Sequence, residues 1–542
     1  MISHPCRKIQ AVRQPFHRRA CLLATAAFVA ATAATAGAHA QDAPLPLALD
    51  PVGMTAVATV DDRYQSYNIE MVEVMGGRWW APYSHLAAAQ AAAAGGQKPT
   101  AIGSGALEAR APIDLANPQL KRLAAALGPA YVRVSDAWAN TAYFDPDASP
   151  GAKPPPGFGG VLTGAEWRGV IDFANAVDAK IVTTFSIGPG VRDPDGVWTP
   201  VEAKKILDFT KSAGGDIAAA EFFNEPNLAA MEGAPKGYDA GAYGRDFKVF
   251  EGFIRQQAPG LKLIGPGSVG ENEDLGAMRG GLKSADMLAA SGPGLDAISY
   301  HFYGAFSLRC KALGAAFQTS PAQALSSPWL DATNRDAAFY GALRDRFEPG
   351  KPLWLSETAD AACGGNPWAS DFADSFRYIN QLGTLARHGV SVTMHNTLIG
   401  SDYGLIDDQT LAPRPNYWSA VLWRRLMGVT VLDPHTAALP ANLHLYAQCL
   451  RGQPGGVAVL ALNADHVAAR TLSVSRPVVR YTLSADALLD SKVKLNGVTL
   501  ALKPDGGLPD LTGAKAARGA VKLAPETITF LAIPKADVPA CR

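Results

Sequence analysis

Two segments of this 542-residue chain place a carboxylate where an apolar run stops. Glu221-Phe222-Phe223-Asn224-Glu225-Pro226-Asn227 closes one, and Pro352-Leu353-Trp354-Leu355-Ser356-Glu357-Thr358 closes the other. Pro226 cannot donate to a ladder and fixes the backbone just after Glu225. Two carboxyl groups about 5–5.5 Å apart cleave a glycosidic bond with retention, one protonating the leaving oxygen while the other attacks the anomeric carbon. Glu225 is the expected acid/base, Glu357 the expected nucleophile, and Asn224 a side chain that binds a sugar hydroxyl beside them. The donor must stay protonated, for which Phe222, Phe223 and the charge of Glu357 are the expected causes. The nucleophile must stay ionised, and Tyr303 in Tyr300-His301-Phe302-Tyr303 is its expected hydrogen-bond donor. His301 reads equally well as a packed structural residue and as a substrate contact. No second His or Cys lies at metal-ligand spacing and no Gly-x-Ser-x-Gly elbow occurs, so neither a metal nor a cofactor is expected.

These carboxylates need a scaffold that brings distant strand ends together. Apolar or β-branched runs alternate with helical patterns from Ser66 onward, the mark of parallel βα units. Eight strands are expected: Ser66–Val72, Tyr131–Ser135, Ile181–Ile187, Ala219–Asn224, Leu261–Gly265, Ala297–Phe302, Pro352–Glu357 and Ser391–Thr397. Between them, Asn117-Pro118 reads as N-cap and N1, with Leu120, Leu123 and Leu127 at helical spacing; Trp167, Val170, Phe173 and Val177 repeat the pattern. The fold class is therefore α/β, a (β/α)8 TIM barrel over 63–427 whose chemistry sits at the C-terminal strand ends, with strands four and seven facing each other. A doubly wound sheet is the competitor, and its Gly-rich nucleotide turn is missing. From 428 to 542, Val457–Asn463, Val478–Ser484, Val493–Leu502 and Thr527–Ile533 predict a C-terminal β-sandwich. The segment 41–62 is expected to join it, and the Ala-rich stretch 85–110 reads as a flexible insertion, with a helix at Leu86–Ala94 as the alternative.

The first forty residues stand apart. Arg13, Arg18 and Arg19 precede an apolar run from Cys21 to about Ala34, and Ala38-His39-Ala40 offers a cleavage site, so 1–40 reads as a signal peptide of a periplasmic or secreted protein. The run is shorter than the ~20 residues a bilayer needs, so no membrane anchor is expected after its removal. The remaining chain would carry 44 basic and 49 acidic residues, a balance that does not invite nucleic acid. Hydrophobic residues at 48% and charged ones at 18% describe a globular protein. Four cysteines remain, and an even number in an exported chain suggests two disulfides in one of three connectivities.

The motifs carry a resemblance. Asn-Glu-Pro on strand four with a nucleophilic Glu on strand seven looks like the large clan of retaining barrel glycosidases. Trp354-Leu355-Ser356-Glu357-Thr358 with Gly364-Gly365, Tyr403-Gly404-Leu405-Ile406-Asp407 and Pro415-Asn416-Tyr417-Trp418 resembles the heparanase family, glycoside hydrolase family 79. Ala130-Tyr131-Val132-Arg133-Val134, Val493-Lys494-Leu495-Asn496-Gly497-Val498 and the terminal Cys541 fit the same family. The resemblance implies a β-glucuronidase acting on an oligo- or polysaccharide, with Glu225 as acid/base and Glu357 as nucleophile, and with Asn224, Glu70 and Tyr403 against the sugar. For Glu70 a barrel-mouth ion pair is the structural alternative. The family's Tyr-Gly-Gly, which cradles a uronate carboxylate, is matched here by Ala362, Cys363 and Gly364, leaving the backbone N–H groups of Gly364 and Gly365 to bind the anion. Cys310, just past strand six, is paired with Cys363 on the rim, and the family's C-terminal bridge implies Cys449 with Cys541. The family's long excised linker is absent, since only Asp147 to Leu162 fills that interval; a single-chain monomer is expected. An enzyme on neutral glycans and a non-catalytic carbohydrate-binding protein are the alternatives. A sulfated substrate would need a basic cleft, for which Arg133, Arg192 and Arg377 are the candidates.

Overall fold

Eight parallel strands close into a barrel in the computed structural model, which describes residues 46–86, 105–272, 281–436 and 439–542. They are β1 (Gln65–Glu70), β2 (Ala130–Ser135), β3 (Ala179–Thr183), β4 (Ile217–Ala220), β5 (Lys262–Val269), β6 (Ala297–Tyr303), β7 (Leu353–Ala359) and β8 (Val390–His395). Each pairs with its sequence neighbour, and β8 pairs with β1 to close the ring. All eight expected strands are present, with shifted ends. The first stops at Glu70 because Met71–Met75 turns helical, with Glu70 and Glu73 forming a capping box. The fourth stops at Ala220, so Glu221 to Asn224 already belong to the mouth.

Period-two alternation explains the interior. Tyr131, Val182, Ala219, Ile264, Ala297, Trp354 and Met394 pack together as an apolar plug low in the barrel. Climbing β6 two residues at a time passes Ala297, Ser299, His301 and Tyr303, so the lining turns polar toward the C-terminal end. Tyr300 and Phe302 belong instead to the main core shared with the helices. Asn117 caps Pro118–Ala125 through Gln119 and Leu120, as its sequence demands, and Thr163 with Glu166 forms a capping box on Gly164–Ala176.

Beyond the barrel lies an antiparallel sheet built on β9 (Met427–Asp433), β10 (Leu443–Leu450), β11 (Val457–Asn463), β12 (Val478–Ser484) and β13 (Thr527–Ile533). Thr55–Thr59 pairs with β9, and Leu47–Leu49 joins a second, three-stranded sheet with Arg470–Val474 and Gly519–Leu523. Ala458, Leu460 and Leu462 belong to the main core, whereas Val457, Val459 and Ala461 belong to the core that also holds Leu49, Leu472 and Val521. Burial on both faces is why β11 reads as an unbroken apolar run rather than an alternating one. The stretch expected as one strand over Val493–Leu502 is instead two short pieces, Lys494–Leu495 and Val498–Thr499, joined by Asn496 and Gly497 at positive φ.

The expected leader lies outside the described residues, as do 87–104 of the expected insertion. Within the described part of that stretch, Leu107–Arg110 pairs antiparallel with Gly77–Trp80, and the guanidinium of Arg110 stacks 3.8 Å over Trp79. No helix among the described residues is long and apolar enough to cross a membrane.

Candidate active site

Glu225 follows β4 in a left-handed conformation (φ 46°, ψ 56°), with Pro226 opening a 3-10 turn behind it. A non-glycine residue there costs energy that the surroundings must hold down. Glu357 sits within β7, where the pairing with β6 shifts register and sets His301 opposite it. Ligand atoms of Glu225, His301 and Glu357 all lie within 4.8 Å of one another. The two carboxylates therefore come close enough to flank one glycosidic bond. Such a trio also fits a cation, but Arg133 and His301 already supply positive charge to it.

The two carboxyl groups have different partners. Glu357 accepts from Tyr303 Oη at 2.7 Å and from Arg133 Nη1 at 2.7 Å. Burial pushes its carboxyl up, but His301, Arg133 and the Tyr303 hydrogen bond outweigh it and hold the group below the usual range. Glu225 faces His301 Nδ1 at 3.1 Å. Burial raises its carboxyl, His301 offsets part of that, the charge of Glu357 adds to it, and the net direction is upward. Burial depresses His301, but the charge of Glu357 and the neighbouring Glu221 and Glu225 carboxylates raise it to about 9. As an imidazolium it donates to Glu225 and leaves the second oxygen of that carboxyl free to carry the acidic proton.

Arg133 organises the floor. It donates through Nε and Nη2 to Glu221 Oε2 and through Nη2 to Asn224 Oδ1, while Ser299 and Ser356 hydroxyls donate to Glu221 Oε1. Gly267, at positive φ, leaves the space for Glu221, since a Cβ there would lie 2.9 Å from its Oε1. Tyr403 Oη donates to Glu70 Oε1 at 2.8 Å, and Asn396 Nδ2 donates to the same oxygen at 3.1 Å. Burial and the charge of Glu357 raise Glu70 to about 7. Its partners are neutral, so the ion-pair alternative for Glu70 does not hold.

No family model matches the chain. Mouse heparanase is 27% identical over 487 residues, covering 79% of this chain and 88% of that protein. The hyaluronoglucuronidase of Hirudo nipponia is 26% identical over 486 residues, covering 79% and 92%. The chain is a glycoside hydrolase similar in sequence to the heparanases. Its fold is shared with the 4-O-alpha-L-rhamnosyl-beta-D-glucuronidase of Fusarium oxysporum, at TM-score 0.59 and 14% identity over 90% of this chain and all of that one.

Several expectations about this heparanase-like chain need correction. His301 is fully buried and joins the carboxylates, so it cannot touch a sugar. The Asn224 side chain is committed to Arg133 and, at 3.2 Å, to Glu232. The rings of Phe222 and Phe223 pack with Trp198, Tyr238, Tyr243 and Phe250 rather than shielding Glu225. Gly365 N–H is spent on the Ala361 carbonyl, while those of Cys363 and Gly364 have no acceptor among the described residues. Arg133, Arg192 and Arg377 are buried in ion pairs with Glu221, Asp246 and Asp374, so none forms a basic cleft. Both disulfides, Cys310–Cys363 and Cys449–Cys541, are present.

Sequence reasoning missed the buried acids Glu221 and Glu232 and the amides Asn140 and Asn396. Glu232 accepts from Asn140 at 3.0 Å, and burial with the charge of Glu225 pushes it well above the carboxylate range. The available signal was Arg133 inside an apolar parallel strand, since a buried guanidinium requires an acid. A separate cavity of about 940 Å³ is lined by Trp80, Asp402, Arg414, Trp418 and Lys503 and by none of the carboxylate-site residues.

Proposed function

We propose that this glycoside hydrolase is a retaining β-glucuronidase that cleaves glucuronic-acid-containing glycans, with Glu225 as acid/base and Glu357 as nucleophile. The observation that supports it most is the convergence of the two carboxylates within 4.8 Å in unequal surroundings. In the first step, Glu225 gives its proton to the glycosidic oxygen as a Glu357 oxygen bonds the anomeric carbon and the aglycone leaves. In the second, Glu225 takes a proton from water, the water oxygen bonds that carbon, and Glu357 is released. Glu70, held by Tyr403 and Asn396, is assigned to the sugar hydroxyls beside them. The sugar's uronate is assigned to the free N–H groups of Cys363 and Gly364. Two names among the relatives, heparanase and hyaluronoglucuronidase, point to such glycans.

We further read the chain as a single-chain periplasmic or secreted enzyme, with leader, barrel and sandwich divided at 40 and 427. Ala362 in place of the family's uronate-binding Tyr favours a second reading, a β-glycosidase acting on neutral glycans. Product analysis on heparan sulfate, hyaluronan, an aryl β-glucuronide and an aryl β-glucoside separates the two. Release of a β-configured glucuronic acid, seen by proton NMR before mutarotation, is the expected result; preference for the glucoside overturns it.

A further inference from the structure

The ladder between β3 and β4 runs on past their ends, through Glu221 N–H to the Thr183 carbonyl at 3.1 Å and Phe185 N–H to the Phe222 carbonyl at 3.2 Å, and goes no further among the described residues. From there Asn140, on the 3-10 turn Ala139–Thr141 after β2, serves both sides. Its carbonyl accepts from the segment after β3: Ile187 N–H at 2.8 Å, Gly188 N–H at 3.2 Å and Ser186 Oγ at 3.0 Å. Its side chain does for Asn224, in the segment after β4, what a neighbouring strand would. Oδ1 accepts from the Asn224 N–H at 2.8 Å, and Nδ2 donates to the Asn224 carbonyl at 3.0 Å. Nδ2 also donates to Glu232 Oε2 at 3.0 Å, so all three partners demand the same orientation of the amide. Asn140 is fully buried, so it does not contact a substrate.

Asn224 is the residue before Glu225, which stands at φ 46°. A turn of the peptide plane between the two changes that φ directly, so it is a route by which the left-handed conformation could relax. A peptide unit is planar, so whatever holds the Asn224 carbonyl also holds the Glu225 N–H and the plane that joins them. Asn140 Nδ2 holds that carbonyl, and Asn140 Oδ1 fixes the plane on the other side of Asn224. Behind Glu225, Pro226 restricts the chain and Leu228 N–H donates to the Glu225 carbonyl at 2.8 Å. Arg133 and Glu232 bind only the side chain of Asn224 and do not hold either plane. The strain at Glu225 is therefore kept in place on its N-terminal side by one amide.

We infer that Asn140 is a positioning residue for general-acid catalysis: by clamping the peptide plane between Asn224 and Glu225, it holds the left-handed Glu225 with its carboxyl directed at the glycosidic oxygen. This role rests on Glu225 being the acid/base proposed above. A donor displaced by even a fraction of an ångström loses the proton transfer while leaving the nucleophile, on a different strand, in place.

The test compares wild type, Asn140→Ala, Asn140→Asp and Glu225→Gln on an alkyl β-glucuronide, whose leaving group needs a proton, on a dinitrophenyl β-glucuronide, whose leaving group does not, and on the methyl ester of the latter, which removes the charge of the acid. Asn140→Ala is expected to lower kcat/KM on the alkyl substrate by roughly ten- to a hundred-fold and on the dinitrophenyl substrate by less than about three-fold, with the ratio of the acid to its methyl ester unchanged. Ratios between substrates measured on one preparation do not depend on how much of it is folded. Asn140→Asp keeps the acceptor for the Asn224 N–H and loses the donor to its carbonyl; it is expected to change in the same direction and carries the test if Asn140→Ala does not fold. Equal losses on the alkyl and dinitrophenyl substrates mean a general structural role and overturn the inference, as does an unchanged alkyl rate or a loss confined to the acid and absent from its ester. Glu225→Gln without a dependence on the leaving group overturns the acid/base reading and takes this inference with it; that dependence in Glu225→Gln and none in the Asn140 variants overturns the inference alone.

Discussion

Arg133 Nη1 lies 2.7 Å from Glu357 Oε2 while the other end of the same guanidinium grips Glu221, so one cation joins the nucleophile to a carboxylate buried beneath it. Glu221 is fully buried and, despite burial, is held far below the carboxylate range by Arg133, His301 and Ser356. A permanently ionised acid under a permanently charged base pins the position of Glu357 and keeps Arg133 from being neutralised by it alone.

Replacing either proposed catalytic carboxylate should separate their roles. Glu357→Gln is expected to lower kcat by about 10³-fold or more on every substrate. Glu225→Gln is expected to lose about 10²–10⁴-fold on substrates with poor leaving groups, but far less on a nitrophenyl glycoside that leaves without a proton. Steady-state kinetics with leaving groups of graded acidity checks both.

Removing the cation beneath the nucleophile should move a pH limb as well as a rate. His301, Arg133 and Tyr303 hold Glu357 low against burial, so Arg133→Met raises it and shifts the acidic limb of kcat/KM to higher pH. The alkaline limb belongs to Glu225 and is expected to move less. Stability is expected to fall by about 3–5 kcal/mol, because Glu221 is left buried without its partner. Tyr303→Phe is expected to move the acidic limb the same way while leaving the denaturation midpoint nearly unchanged.

Stability should fall as pH rises from about 4 toward neutrality. Glu70 is raised to about 7 by burial and by Glu357, and Asp360 to about 7 by burial and by Asp374. Groups raised on folding give their full contribution below the unfolded values of 4.5 and 3.8 and lose it as pH climbs through 7. Glu221 and Glu357 are lowered on folding and act in the opposite sense, losing their contribution as pH falls below about 4.5. Thermal melts across pH 3 to 8 are expected to peak on the acidic side, and Asp360→Asn to flatten the decline above the peak.

The two disulfides should differ in what their removal reveals. Cys449 and Cys541 close a loop of 92 residues, and their joint replacement by Ser is expected to cost about 4–5 kcal/mol with kcat/KM intact. Replacing Cys310 and Cys363 is expected to cost stability as well and to weaken the preference for the acid over its methyl ester. Melting temperature and the acid-to-ester ratio, measured on both double variants, check the contrast.

The barrel was legible because its evidence is local: eight apolar runs, helical spacings and caps such as Asn117 follow from neighbours in the chain. Glu225 and Glu357 were legible for the same reason, each being a carboxylate at the end of an apolar stretch. Their surroundings were not. Whether His301 faces a sugar or three carboxylates depends on the register shift between β6 and β7, and no pattern along the chain encodes that shift. The role of Gly365 was misread because its N–H finds a partner four residues earlier, a turn that the sequence Ala-Ala-Cys-Gly-Gly does not dictate. Arg192 and Arg377, as cations, suggested a polyanion site only until their buried acids came into view.

Because Thr55–Thr59 zips onto β9, which follows the barrel, early and late stretches of the described chain are woven into a single sheet. Cutting the gene before β9 would remove that strand and leave Thr55–Thr59 without its partner, inviting aggregation instead of yielding a smaller enzyme. Ribosomal synthesis meets the same constraint: Thr55–Thr59 waits for a partner made some 370 residues later, so this sheet forms only after all eight barrel strands have been made.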